Sequence, residues 1–313
     1  MVARGVRGEP TRVPAVSQRE RESHKSMRPR CVCMNLPARS ELSFRHYLAG
    51  TTGLTAVLML LGVYTAAAGA GLTCAQRWPL CDGAVFGLFP ADWMSFIEWF
   101  HRLVAMVAGF VVLGGTAYAW RAGLSRRVRG ALTVATALLP AQIALGALTV
   151  TEYEWLILTA HFSTATIIYG GITLATAWAF TDRVRPGAAR RATLAATALL
   201  PAFLVLSPRL LFVYGGGAQV ALYAVGLTAL AALCCATVWT TVVRRALATG
   251  LAAVVLGALL VLGRQAFGTG AQLVMAGGTL LAFYLSFVAA NTEAPSGGSR
   301  RRGVAHSGSH SDD

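Results

Sequence analysis

The chain has 313 residues, 55% of them hydrophobic and only 13% charged, whereas a water-soluble domain carries about a quarter charged residues. Its net charge of +14 would suit a nucleic-acid binder, but the arginines lie in short blocks between long apolar runs, which argues against a nucleic-acid partner. Runs of about twenty Ala, Leu and Gly-rich residues define an all-α polytopic membrane protein and exclude the alternating, roughly ten-residue segments of a β-barrel.

Residues 1–47 read as a disordered basic cytoplasmic head containing Cys31 and Cys33. No apolar run follows its basic stretch as a signal peptide would require. Met27 and Met34 are alternative starts. Eight spans follow, at 48–70, 97–120, 131–150, 155–180, 192–206, 217–243, 246–262 and 270–290. The fifth is short and contains Pro201. Residues 294–313, with His306 and His310, read as a flexible tail. The spans divide into two four-helix halves, 48–180 and 181–293.

Arginines 121, 126, 127, 129, 183, 185, 190, 191, 244 and 245 all fall on one side of this arrangement, against the single acid Asp182. The other side holds Arg77, Arg209 and Arg264 with Asp82, Asp92, Glu152 and Glu154. By the positive-inside rule both termini are cytoplasmic and the chain sits in the cell membrane. The basic flanks then meet anionic lipid.

Glu98-Trp99-Phe100-His101-Arg102 places ionisable groups just inside the second span. Such groups are costly in hydrocarbon and mark function. His161 enters the fourth span at a similar depth from the outer face, about 8 Å at 1.5 Å per residue. Two imidazoles at one level are what an axially ligated haem iron requires. Glu98 shares the face of His101 one turn away and would act as base or stabilise positive charge. Arg102 either holds a haem propionate or snorkels to the headgroups.

Cys74 and Cys81 lie in the first outer loop, where a disulfide is expected. Cys234 and Cys235 fall mid-span and read as small hydrophobes. Trp78, Trp93, Trp99 and Trp155 form an aromatic belt at the outer ends of the spans or, for one or two, line a cofactor pocket. Small residues at 66–71 and Gly146-Ala147 permit close helix approach. Gln142 needs a partner on a neighbouring helix. A weak internal alignment sets His101 opposite Gln219 and His161 opposite Gln272, and no histidine occurs between 162 and 305.

Several of these segments together resemble the haem A synthase family. They are Ala68-Gly69-Ala70-Gly71-Leu72-Thr73-Cys74 with Trp78-Pro79-Leu80-Cys81-Asp82-Gly83, then Glu98-Trp99-Phe100-His101-Arg102, Gln142-Ile143-Ala144-Leu145-Gly146-Ala147-Leu148-Thr149-Val150 and Ala160-His161. The resemblance is strong over 48–180 and weak beyond. It implies an eight-helix oxidoreductase that converts the C8 methyl of haem O to the formyl group of haem A for cytochrome oxidase. His101 and His161 would ligate the substrate iron, Glu98 would be the catalytic carboxylate, and the Cys74–Cys81 pair would shape or redox-couple the outer face of the pocket. The family's second, bis-histidine haem b in the C-terminal half is expected to be absent here, because glutamines stand at the aligned positions. Electrons would leave by the disulfide, a partner or a second copy of the chain. Haem O synthase is the expected supplier of substrate. The rival readings are a bis-histidine b-type cytochrome that only carries electrons, with Glu98 a spectator, and a haem-free transporter or assembly protein.

Overall fold

The computed structural model describes residues 38–74, 81, 90, 92–152, 154–207, 215–264 and 268–292. The chain divides after Glu41 into two units, and apart from the first four residues of helix α1 the elements below belong to the second. Eight long helices follow in order: α1 (Ala38–Ala67), α2 (Trp93–Arg121), α3 (Arg126–Thr151), α4 (Trp155–Phe180), α5 (Ala188–Val205), α6 (Gly216–Trp239), α7 (Val243–Gly263) and α8 (Thr269–Asn291). Each is long and apolar enough to cross a membrane, and the described residues hold no strand. The all-α, eight-span expectation holds. The protein is a multi-pass membrane protein.

One boundary is corrected. The head was expected to stay irregular to residue 47, yet α1 begins at Ala38. Phe44 and Leu48, one turn apart, are buried against Ala119, Val128, Leu132 and Ala175. That contact holds the extra turns in helix although Arg45 and His46 interrupt the apolar pattern. The rest of the head with Cys31 and Cys33, the tail with His306 and His310, and Arg77, Trp78, Asp82 and Arg209 lie outside the described residues.

Helix α2 starts four residues earlier than expected because Asp92 caps it. The Asp92 carboxylate accepts from the N–H of Met94 at 2.9 Å and of Ser95 at 3.1 Å. Ser125 caps α3 in the same way. Helix α5 keeps its helical path through Pro201, with Ala196, Leu200 and Phe203 on its buried face.

Large apolar side chains such as Phe110 and Val254 point outward, where lipid replaces water. Helix association therefore gains little from the hydrophobic effect and depends on close packing and hydroxyl bonds. Thr52–Thr176 at 2.9 Å ties α1 to α4, Thr116–Thr136 at 2.7 Å ties α2 to α3, and Thr237–Thr249 at 2.9 Å ties α6 to α7. Helix α3 packs on both α2 and α4. Among the last four, α5 meets α6, α6 meets α7, α7 meets α8, and α8 returns to α5. Helix α4 rests on α6 and α7, where the Tyr169 hydroxyl donates to the Leu227 carbonyl at 3.0 Å.

Candidate functional site

Four helices converge on the site. Two residues beyond the end of helix α1, Gly69 has a φ of 72°, a left-handed conformation that glycine adopts without steric cost. The chain then makes a tight turn at Ala70–Leu72, and this turn packs on α2 and α3. It sets Thr73 and Cys74 against the start of α2. There Cys74 is joined to Cys81 by the expected disulfide, with Cα atoms 4.5 Å apart and both residues buried.

Glu98 is only 2% exposed, and donors meet both of its carboxylate oxygens. Its Oε1 is paired with the Arg102 guanidinium one turn along α2. Its Oε2 accepts from the Cys74 backbone N–H at 2.9 Å and lies 3.4 Å from the Thr73 hydroxyl. Arg102 therefore turns toward the carboxylate, an orientation that neither sequence alternative anticipated. The i,i+4 spacing of residues 98 and 102 was the available signal.

His101 sits on α2 and His161 on α4. Each ring rests on a glycine of a neighbouring helix. A methyl group at Gly62 of α1 would stand 3.0 Å from His101 Cε1, and one at Gly146 of α3 would stand 3.2 Å from His161 Cε1. The Nδ1 atoms of both histidines are buried without a hydrogen-bond partner. Gln142 finds the neighbouring-helix partner expected of it, its amide nitrogen lying 3.3 Å from His161 Nε2.

These residues fit an iron porphyrin. Two half-buried imidazoles on two helices, each with a buried Nδ1 that has no partner, would supply the protein's donors to the iron, and the macrocycle would bring the rest. Among the described residues no group of three or more His, Cys, Asp or Glu side chains is placed to hold a bare metal ion. The rings of Trp93 and Trp155, at the N-terminal ends of α2 and α4, are mostly exposed, as an interfacial belt requires.

The second half differs. Gln219 Oε1 accepts from Arg264 at 3.1 Å. One turn further along α6, Tyr223 is fully buried and donates to the Leu260 carbonyl at 2.8 Å. Phe203 and Leu260 press onto Gly226 so closely that a methyl there would approach them within 2.8 and 2.6 Å.

Residues 92–229 match the cytochrome oxidase assembly protein family COX15-CtaA. Over that segment the chain is similar to this family. The match covers α2 to α4, with both imidazoles, and continues into α6. A protohaem IX farnesyltransferase of Halobacterium salinarum is 38% identical over 122 residues, which is 39% of this chain and 27% of that protein. A haem A synthase of Bacillus licheniformis is 30% identical over 139 residues, 42% of this chain and 45% of that protein. One of Shouchella clausii is 30% identical over 135 residues, again 42% of this chain and 44% of its own length. The chain thus spans between about a quarter and under half of the curated relatives it matches.

Proposed function

We propose that this protein is a haem A synthase, oxidising the C8 methyl of haem O to a formyl group at the outer face of the cell membrane, with both termini cytoplasmic. One observation carries the reading. His101 and His161, on two different helices, are half-buried, each seated on a glycine of a neighbouring helix with its Nδ1 buried and unpartnered, and Glu98, one turn before His101, is a buried carboxylate.

Taking the methyl to a formyl group removes four electrons and adds one oxygen atom, so an external electron acceptor and water or dioxygen must take part, with redox chemistry that would be mediated by the bound substrate iron. His101 and His161 hold it from α2 and α4. Glu98 supplies fixed negative charge near the reacting carbon. Because donors already meet both of its oxygens, stabilising developing positive charge suits it better than taking a proton. Gln142 holds the His161 ring in position. Among these groups the Glu98 carboxylate is the one most shielded from solvent, at 2% exposure.

The two sets of relatives support consecutive steps. Proteins named for farnesylating protohaem contain a stretch resembling about a quarter of their length to this chain, which fits a farnesylated haem as substrate. The matching stretch is about a quarter of those proteins, so their own transfer reaction is not carried over to this chain.

The C-terminal half reads as a degenerate copy without its own haem. Tyr223, Phe203 and Leu260 fill the interior below Gln219.

Expression with a haem O supplier, followed by haem extraction and chromatography, tests the proposal. Haem A is the expected product. A b-type cytochrome would retain haem b, make no haem A, and keep its electron-transfer activity after Glu98→Ala. A haem-free protein would show no Soret band.

A further inference from the structure

Glu98 is aimed by a contact network that begins three residues before it. Ser95 lies on the same face of α2 and is 6% exposed. Its backbone N–H is held by the Asp92 cap, and its hydroxyl donates to the Thr73 carbonyl at 2.9 Å. That bond fixes the peptide joining Thr73 to Cys74, whose N–H points at Glu98 Oε2 at 2.9 Å. The Thr73 hydroxyl has one proton and lies nearer the Ala70 carbonyl, at 2.8 Å, than Glu98, at 3.4 Å, so the Cys74 N–H is the main donor on this side. The Ser95 carbonyl also stands 3.9 and 3.7 Å from the sulfurs of Cys74 and Cys81. A disulfide has no S–H to donate, so these are packing contacts that seat the bridge on α2.

We infer that Ser95 is a positioning residue for the reaction, acting through the Thr73 carbonyl and the Cys74 N–H to set where the Glu98 carboxylate points. This rests on the reading of Glu98 as the carboxylate of the reaction. Without the Ser95 hydroxyl, the Thr73–Cys74 peptide is free to rotate. Glu98 Oε2 then loses its fixed donor, while Arg102 still holds Oε1. Displacements of this size cost catalysis far more than they cost binding.

The test compares Ser95→Ala, Ser95→Thr and Glu98→Gln in the full-length protein. Ser163→Ala serves as control, since that hydroxyl only bonds its own helix at Thr159. Two readouts are taken. One is the infrared carboxylate band of Glu98, isolated in the purified protein by difference against Glu98→Gln. The other is haem A formation, resolved into kcat and KM. Ser95→Ala is expected to shift the band and lower kcat about tenfold or more, with KM within about twofold. Ser95→Thr should recover both, and Ser163→Ala should match the parent. An unshifted band in Ser95→Ala overturns the inference, as does a loss of turnover that Ser95→Thr fails to rescue. If Glu98→Gln itself still makes haem A, the reading of Glu98 fails instead, and the band alone then decides whether Ser95 aims the carboxylate.

Discussion

The imidazole of His101 lies so close to Gly62 of the preceding helix that an added methyl would stand 3.0 Å from its Cε1 and 3.5 Å from its Nε2. His161 repeats the relationship with Gly146. The absence of a side chain at these two positions sets the rotation of both rings.

Gly62→Ala and Gly146→Ala should therefore weaken haem retention, with an overpacking cost of about 1–3 kcal/mol at the ring. Gly53→Ala, where nothing lies within 4 Å, should be neutral or slightly stabilising because alanine is the better helix former. Haem-to-protein ratio after purification and the low-spin electron paramagnetic resonance signal check this. Normal haem content in both site variants would show that the glycines do not constrain the rings.

Replacing either histidine should abolish six-coordinate, low-spin iron. His101→Ala and His161→Ala are each expected to give a high-spin spectrum or no Soret band. A variant that keeps the parent spectrum would remove its histidine from the ligand set.

Arg102→Leu should destabilise the protein by about 3 kcal/mol or more, because it leaves a buried carboxylate without its cation. Arg102→Lys should cost less, since charge remains while the guanidinium fork is lost. Melting in detergent measures both. Equal melting temperatures for the parent and Arg102→Leu would mean that the pair contributes no stability.

Restoring histidines to the C-terminal half should fail to create a second haem site. The double variant Gln219→His, Gln272→His still has Tyr223 and Phe203 filling the interior. Haem stoichiometry by pyridine haemochrome should stay near that of the parent. A doubled ratio would show that the packed interior gives way.

The eight spans were legible because their hydrophobic runs exceed anything a soluble helix carries. Glu98, His101 and His161 stood out because ionisable groups are rare in such runs. The start of α1 was missed because its buried residues, Phe44 and Leu48, are separated by an arginine and a histidine. Gly62 could not be distinguished within a span rich in small residues, and Gly146 read only as a means of close helix approach. Ser95 and Thr73 carry no local signal, since their contact exists only after the turn beyond Gly69 folds onto α2. Arg102 was seen, but its direction is set by Glu98 one turn away.

Each side of the imidazole site is rooted in the packing of the last four helices. Val63, next to Gly62, and Phe162, next to His161, both belong to the core built mainly by α5 to α8, and Phe162 meets Tyr223 edge-on at 5.1 Å. The last four helices are thus the foundation for the helices that carry the imidazoles. Loosening the packing around Phe203 or Leu260 would be felt at a distance, as slack between the two rings.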